Sequence, residues 1–436
     1  MVSFIAVVRS LCIFLVILTL VLAVTPPNVI QCPHLCGCPS KTLVICEGKV
    51  DKLTYIPRIP ATTRKLVFRG NLVPEIYRDT FKNITFQSGN RVEILDLSNN
   101  GIVFISTMAF SKLTYLKELD LSKNYLRDPD GLQKALVGLR FIHVHRLMLH
   151  HMDLGDDSIP SNLFEPLTYL NSIQTIDMSD NVLNEFDFQT LVNLTSLEEL
   201  ILSSNRISGL TDKSFDGMNL IKTIDLSSSN FQDFVTFSED IMSTLLPKTL
   251  EILSLRNSIL GNVPRFNSSN ITELDLSENK ITKLHLEDIA NYPSLRVLNL
   301  NSNRLTRISE GTIPPSIQDQ LIAVGFADNP LLCSCDIAWL HNWMVKEPLK
   351  FLTMGTQIEC LSEETGSFIL LEDYKPTNCG SISHVTLTIT IACCVIVVII
   401  IAVLIFCYRK RIKLFCYVCT RKRGGEQLVL SDNVGI

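Results

Sequence analysis

The sequence predicts an α/β solenoid shaped like a horseshoe, with a parallel β-sheet on its concave face, disulfide-bonded caps at both ends and one transmembrane helix. Three observations predict this fold class. A leucine-containing phrase recurs along the chain, cysteines form two sets of four at the ends of the repeated region, and a long uncharged segment follows the second set. With 19% charged residues, the composition excludes a disordered or collagen-like chain.

The repeated phrase is Leu-x-x-Leu-x-Leu-x-x-Asn-x-Leu, with clear copies at 116–126, 197–207 and 295–305. Eleven aligned copies follow one another at spacings of 21 to 29 residues, the period typical of leucine-rich repeats. Such units stack because one alone cannot bury its apolar face. The Asn column of the eleven copies reads Asn71, Asn100, Asn124, Met152, Asn181, Asn205, Ser229, Ser258, Asn279, Asn303 and Asn329.

Each part of the phrase has a physical role. The Leu-x-Leu piece is a short strand with inward leucines, since strand side chains alternate between the two faces. The Asn amide satisfies backbone groups that stay buried where the chain turns away from the strand. A phenylalanine ten residues after the Asn, as at Phe81, Phe110 and Phe215, is predicted to fill the convex side of the core.

Three repeats depart from the Asn column. Ser229 and Ser258 keep a hydroxyl that can hydrogen-bond, whereas Met152 cannot replace the amide. We therefore expect either a water molecule in the turn at Met152 or a distorted fourth repeat. Two insertions, residues 131–139 and 238–246, have the pattern of short amphipathic helices.

The apolar ends of the chain indicate its compartment. Residues 1–23 hold one basic residue, an apolar run and small residues, which is the pattern of a secretory signal peptide; an uncleaved anchor is the alternative. Residues 385–407 are uncharged and reach about 34 Å as a helix, enough to cross a bilayer core. The tail, 408–436, is basic, and basic residues stay cytoplasmic. We expect a type I single-pass protein with its N-terminus outside, at the plasma or endosomal membrane.

Cysteine usage fits an oxidising compartment. Four cysteines fall in region 24–62 and four in region 329–384, and none lies in the repeats between them, at 63–328. Even sets of cysteines outside the cell imply disulfides. Both sets stand where a solenoid would otherwise expose its core, so the two regions are predicted to be caps.

These flanks resemble the cysteine-rich flanks of extracellular leucine-rich repeat proteins, a family that includes the Toll-like receptors. The segment Asn-Pro-Leu-Leu-Cys-Ser-Cys-Asp-Ile-Ala-Trp at 329–339 is similar to the Toll-like receptor flank that stands just outside the membrane. The resemblance covers about residues 32–420. It implies four disulfides, Cys32 with Cys38, Cys36 with Cys46, Cys333 with Cys360, and Cys335 with Cys379.

The outward columns of the strands form the candidate binding surface. Their aspartates and glutamates indicate either a basic ligand or a solvated row of consensus residues. In the fourth repeat, histidine and arginine replace acidic residues, which predicts a basic patch; its histidines either strengthen ligand contact at endosomal pH or are plain surface residues. Metal binding is disfavoured, because no carboxylate or cysteine shares that strand. The candidate ligand-binding residues are Glu118, Asp120, Arg146, Met148, His150, His151, Asp177, Glu199 and Ile201.

Covalent modification is predicted at two kinds of site. Asn-x-Ser/Thr tripeptides mark glycosylation acceptors at Asn83, Asn193, Asn267 and Asn270. Cysteines beside the span are palmitoylation candidates at Cys407, Cys416 and Cys419. The basic and aromatic tail that carries the last two is expected to contact anionic lipid.

The function expected from these features is recognition. No motif of an enzyme, nucleotide site or metal site occurs in the sequence, so we expect no catalysis, cofactor or metal. Nucleic acid is disfavoured by the acidic body of the chain. The resemblance implies an innate immune receptor for a protein or microbial ligand. Toll-like receptors continue into a cytoplasmic signalling domain, whereas 29 residues follow the span here. We therefore expect capture, decoy action or a membrane co-receptor; a cell-adhesion or synapse-organising protein is the alternative.

Overall fold

The computed structural model describes residues 32–85, 91–155, 159–184, 186–208, 210–211, 213–231, 246–266, 270–355, 357–363, 365–375 and 392–410. They belong to two compact units, one that ends at Tyr374 and one that begins at Lys375. The predicted signal peptide, the tail beyond residue 410 and nearly all of the insertion at 238–246 lie outside the described residues.

The first unit is built from short strands, most of them three residues long. The strands are β1 (Gly37–Ser40), β2 (Leu43–Glu47), β3 (Lys65–Arg69), β4 (Glu75–Ile76), β5 (Ile94–Asp96), β6 (Phe104–Ile105), β7 (Glu118–Asp120), β8 (Arg146–Met148), β9 (Thr175–Asp177), β10 (Glu199–Ile201), β11 (Thr223–Asp225), β12 (Ile252–Ser254), β13 (Glu273–Asp275), β14 (Val297–Asn299), β15 (Ala323–Gly325), β16 (Glu359–Leu361) and β17 (Phe368–Leu370).

One sheet holds thirteen of the described strands, in chain order from β1 to β15 with β4 and β6 left out. Its first pair is antiparallel, and all the later pairs are parallel and in register. The eleven strands from β3 onward, without β4 and β6, correspond one to one with the eleven repeats counted in the sequence. The predicted leucine-rich repeat solenoid is therefore confirmed.

Short helices cover parts of the other side of the repeats. They are α1 (Lys82–Thr85), α2 (Pro129–Val137), α3 (Leu286–Ala290), α4 (Pro315–Gln320), α5 (Ala338–Lys346) and α6 (Leu349–Leu352). Helix α2 is the helix predicted at 131–139, but it begins two residues earlier. The Asp128 carboxylate caps it by accepting from the N–H of Asp130, and Pro129 occupies the first turn, where a missing N–H costs nothing.

A ladder of asparagine amides runs through the core, as predicted. Each amide bridges two repeats: Asn124 Nδ2 donates to the carbonyls of Leu97 and Leu121, at 3.0 and 2.7 Å, and its Oδ1 accepts from the N–H groups of Asn100 and Ile102, both at 3.0 Å. The ladder satisfies buried backbone N–H and carbonyl groups that the hydrogen bonds between strands do not reach. The convex phenylalanines Phe81, Phe110 and Phe215 are buried, also as predicted.

The fourth repeat keeps its turn without an amide of its own. Met152 is fully buried, and its N–H donates to Asn181 Oδ1 at 2.8 Å. The Leu149 carbonyl, which an Asn at 152 would serve, accepts instead from Asn181 Nδ2 at 2.8 Å. A protein side chain of the next repeat thus takes the place of the water or distortion that we expected.

The two serines of the column behave differently. Ser258 Oγ donates to the carbonyls of Arg256, at 3.1 Å, and Leu226, at 3.3 Å. Ser229 Oγ is buried and has no hydrogen-bond partner among the described residues. The expectation that a serine hydroxyl can hydrogen-bond in this column is therefore confirmed for Ser258 and wrong for Ser229.

The residue before the Asn column adopts a left-handed backbone in all eleven repeats, with φ between 52° and 70°. Only the first copy has glycine, which pays no steric penalty there. The others carry a side chain in a conformation that L-residues rarely adopt. The column is Gly70, Asn99, Lys123, His151, Asp180, Ser204, Ser228, Asn257, Glu278, Ser302 and Asp328.

Both ends of the solenoid are covered. At the N-terminal end β1 and β2 extend the sheet, with disulfides Cys32–Cys38 and Cys36–Cys46. At the C-terminal end α6 packs against β15, and a disulfide joins Cys333 to Cys360. Cys335 is also disulfide-bonded, and its predicted partner Cys379 lies outside the described residues.

The second unit is described over one helix, α7 (Ala392–Lys410). Its mean hydropathy is 2.8 over an 18-residue window, and its 19 residues reach about 28 Å. By length and composition it can cross a membrane. It extends three residues beyond the predicted end at 407, and the first seven residues of the predicted span, 385–391, lie outside the described residues.

Candidate ligand-binding surfaces

Seven of the nine candidate residues lie on four neighbouring strands, and His150 and His151 follow the end of β8. Strand register aligns Glu118, Arg146, Thr175 and Glu199 in one row across β7 to β10. The next row holds Asp120, Met148, Asp177 and Ile201. Thr175 is buried and the other side chains in these rows are half-buried, while the residue between them on each strand is buried. The structure thus brings the predicted residues together on the concave face.

The aspartates of the concave column have a structural role in their own turns. In Asp96, Asp177 and Asp275, Oδ1 accepts from the backbone N–H of the serine two residues later at 2.9 Å, and from its hydroxyl at 2.6 Å. These turns satisfy the backbone where each strand ends. The acidic stripe is therefore part of the repeat architecture, and it does not by itself indicate a basic ligand.

Two of these carboxylates titrate differently because their surroundings differ. Burial raises the pKa of Asp120, with a further contribution from nearby Asp96. Burial also acts to raise the pKa of Asp177, but hydrogen bonds from His150 and Ser179 outweigh it, and the net pKa is lowered. The concave face thus keeps Asp177 charged beside a histidine.

The predicted basic patch in the fourth repeat is an ion-paired network, which corrects the expectation. Arg146 lies 3.8 Å from Glu199, whose carboxylate also accepts from the Thr175 hydroxyl at 3.0 Å. His150 Nδ1 lies 3.6 Å from Asp177 Oδ2. The counter-charges come from other strands of the sheet. The acidic residues that carry them are more than twenty residues away in the sequence from the cations they pair with. Inspection of each repeat by itself could therefore not reveal the pairing.

The pairing extends past the strand ends. His151 Nδ1 contacts Asp180 Oδ2, and Arg127 pairs with Asp153 at 2.9 Å. A shallow groove of about 420 Å³ beside these pairs is lined in part by Lys123. Among the described residues no group of three or more histidine, cysteine or acidic side chains is placed to hold a metal ion.

The histidine at the centre of the network is biased toward its charged form. The contact with Asp177 raises the pKa of His150, and the carboxylate of Asp120 adds to the effect. Its side chain is 31% exposed, so solvent still screens the interaction. A raised pKa means that more of His150 is charged, and paired with Asp177, at endosomal pH.

The glycosylation acceptors are not equivalent. Asn83 Nδ2, the atom that a glycan would occupy, donates to the Ile56 carbonyl at 2.8 Å. Asn270 Nδ2 contacts the Lys248 carbonyl. Asn193 is exposed and has no side-chain hydrogen bond among the described residues, and Asn267 lies outside them. Asn193 is the acceptor that the fold leaves most accessible.

The palmitoylation candidates divide at the end of the described helix. Cys407 is a free, exposed cysteine on α7, together with Cys393 and Cys394. Cys416 and Cys419 lie outside the described residues, so palmitoylation and lipid contact in the tail stay predictions.

A second surface was missed by sequence reasoning. Tyr115, Phe141 and Tyr169 are 49%, 66% and 59% exposed, and each comes a few residues before its strand, in the third, fourth and fifth repeats. Arg91 and Arg140 accompany them. We call these five residues the aromatic edge. The signal that could have found them is an aromatic residue shortly before the repeated phrase in three successive repeats. Its distance from the phrase differs from one repeat to the next.

Comparison with known proteins supports the repeat assignment. A family model described as "Leucine rich repeat" matches residues 64–146 and 248–312, and a second model of the same description matches residues 196–218. The matched ranges coincide with strands of the parallel sheet. The chain therefore contains leucine-rich repeats.

Similar curated proteins include the NT-3 growth factor receptor of Gallus gallus, 29% identical over 125 residues, which are 28% of this chain and 14% of that protein. Mouse podocan is 27% identical over 157 residues, covering 32% of this chain and 25% of podocan. Lumican of Coturnix japonica is 32% identical over 120 residues, covering 27% and 34%. The match thus spans about a third or less of each relative.

Solved structures that are similar to this chain match it at low sequence identity. Human 5T4, also called trophoblast glycoprotein, is 20% identical with a TM-score of 0.41, and the match covers 80% of this chain and 98% of that one. A chain from the octameric complex of Latrophilin 3, Unc5D and FLRT2 is 18% identical with a TM-score of 0.47, covering 80% and 100%.

Proposed function

We infer that this chain is a single-pass cell-surface receptor whose leucine-rich repeats bind an extracellular protein. The observation that supports this most directly is a disulfide-capped parallel sheet in a chain that also carries one exposed apolar helix of spanning length. A capped solenoid offers a rigid surface, and rigid surfaces lose little conformational entropy on binding. The expectation that the chain is no enzyme stays a prediction.

The membrane topology can be tested on the full chain in cultured cells. A tag placed after Ile436 should stain only after the membrane is permeabilised. Glycosidase treatment should shift the mobility of the wild-type chain, and Asn193→Gln should reduce that shift. A tag that stains on intact cells, or a chain without any glycan, would contradict the receptor assignment.

Two roles are compatible with such a receptor. The first is innate immune recognition, in which the chain captures a protein or microbial ligand, acts as a decoy or assists a co-receptor. Its support is the Toll-like C-terminal flank around Cys333 and Trp339. The second is cell adhesion or synapse organisation, in which the same rigid repeat surface would bind a protein of another cell. Plasma and endosomal membranes are both open to either role.

One experiment separates the two roles. Cells that display the full chain are mixed in parallel with fluorescent microbial cells and with fluorescent cells of the same organism. Binding to microbial surfaces would support immune capture, and aggregation with host cells would support adhesion. In both arms the untransfected parent cells are the control.

A further inference from the structure

The aromatic edge lies along the side of the sheet where the strands begin. Because β7, β8 and β9 are parallel and in register, the residues just before them align on the same lateral side. Tyr115, Phe141 and Tyr169 therefore follow one another across three repeats. Their exposure, about half or more of each side chain, is high for residues that usually bury most of their surface.

Contacts within the edge hold the rings in place without burying them. The Arg91 guanidinium lies 5.1 Å from the centroid of the Tyr115 ring, and the Arg140 guanidinium lies 5.7 Å from Phe141 and 5.1 Å from Tyr169. The rings of Phe141 and Tyr169 meet edge to face at 5.1 Å. Stacking of this kind leaves the N–H groups at the rim of each guanidinium free to donate.

The charges of the edge differ from those of the concave face. There Arg146, His150 and His151 each face a carboxylate of a neighbouring strand. Among the described residues, no carboxylate oxygen lies within 4.0 Å of a guanidinium nitrogen of Arg91 or Arg140. Lys117 also lies on this side of repeats two to four, but unlike the two arginines it forms an ion pair, with Glu93. Arg91 and Arg140 thus give the edge a positive charge on a chain whose net charge is −5, while the nearby Glu93 carboxylate interacts with Arg91 at longer range.

We propose that the aromatic edge is the docking surface for a protein partner that presents carboxylates between apolar side chains. The proposal rests on the proposed function and names the surface that performs it. Arg91 and Arg140 would each bind a partner carboxylate through two N–H groups, and apolar partner side chains would cover the three rings. Tyrosine and arginine carry a large share of the binding energy in protein interfaces, and these are already ordered.

A selection experiment tests the proposal without a known partner. A phage-displayed library of random peptides is selected on the full chain in detergent micelles, and enriched peptides are sequenced. We expect peptides that combine Asp or Glu with aliphatic or aromatic residues. Their binding should fall at least about tenfold with Arg91→Glu plus Arg140→Glu, the loss of two charged contacts. The reversed charges should enrich Lys- and Arg-containing peptides instead.

A second variant blocks the edge by size. Phe141→Asn with His143→Thr creates the tripeptide Asn-Ile-Thr at two exposed positions, so a glycan should cover the edge and abolish peptide binding. Arg146→Gln with His150→Asn tests the concave face as the alternative surface. Arg304→Glu with Arg307→Glu, at two exposed positions of the tenth repeat, is the matched charge control and should leave binding unchanged. Surface display and protease resistance check that each variant folds.

Each result decides the proposal. Loss of peptide binding in the edge variants, with binding kept in the charge control, supports it. Peptide binding that survives the edge variants and is lost with the concave variant would overturn the edge while leaving the receptor assignment in place. If selection on the wild-type chain enriches no acidic peptides, the proposal is also overturned. The topology measurement decides the receptor assignment separately.

Discussion

At the scale of single residues, Asn181 makes one contact that no neighbour duplicates, its hydrogen bond to the Leu149 carbonyl. Met152 cannot serve the Leu149 carbonyl, so Asn181 is its side-chain donor. Asn181→Leu should leave that buried carbonyl unpaired. By contrast, the two core carbonyls that Asn303 serves, at Leu276 and Leu300, also accept from neighbouring asparagines. We expect Asn181→Leu to lower the free energy of unfolding by about 1 to 3 kcal/mol more than Asn303→Leu does.

Denaturant unfolding of the two variants, each compared with the wild-type chain, measures this difference. Each substitution also removes the amide oxygen that accepts from one backbone N–H, that of Met152 for Asn181→Leu and that of Ile281 for Asn303→Leu. This loss is common to both variants, so it cancels when their free energies of unfolding are compared. Equal destabilisation would mean that a water molecule or a shift of the turn satisfies the Leu149 carbonyl.

A second prediction at this scale concerns pH. The ion pair with Asp177 raises the folded-state pKa of His150. The stabilising effect of the pair is therefore fully present below the unfolded value of about 6.5 and is lost as pH rises through the folded value. His150→Asn should therefore cost more stability at pH 5.5 than at pH 8. The difference should stay below about 1 kcal/mol, because the pair is partly exposed.

Thermal unfolding at both pH values checks the sign. His34→Asn is the control, since His34 is exposed and has no acidic partner among the described residues. A cost of His150→Asn that is larger at pH 8 would contradict the assigned role of Asp177.

At the scale of the element, each repeat turns through a left-handed residue. Lys123, at φ 58°, is an exposed example. Lys123→Gly should keep or raise stability, by up to about 1 kcal/mol, whereas the β-branched Lys123→Ile should lower it by about 1 to 2 kcal/mol. Lys283→Ile, at an exposed position without a left-handed φ, is the control for the change of side chain. Denaturant unfolding measures both variants. If Lys123→Ile and Lys283→Ile lower the free energy of unfolding equally, the stacked repeats impose no strain at this turn.

At the scale of the whole molecule, stability propagates from repeat to repeat, and the caps protect the ends. The disulfide Cys333–Cys360 closes a loop over a sequence separation of 27 residues. Replacing both cysteines by alanine should cost about 3 to 4 kcal/mol. Because each repeat contacts only its neighbours, the loss should appear first next to the cap.

Hydrogen exchange resolves where that loss appears. Amides of β14 and β15 should exchange faster in the double variant, while those of β7 and β8 keep their wild-type rates. Uniform acceleration along the sheet would show that the solenoid unfolds as one cooperative unit.

The sequence by itself determined the number of repeats, the strand positions and the places of the caps, because these follow from a local period and from the need to bury leucines. It also placed the asparagines from Asn71 to Asn329 in the core, since an amide can both donate and accept at that turn. Only the tertiary structure decided what the concave charges do. Asp177, Asp180 and Glu199 neutralise the fourth repeat from the fifth and sixth repeats, and sequence distance conceals that contact. The aromatic edge emerged for the same reason: the register of β7, β8 and β9 aligns residues that share no fixed column in the repeated phrase.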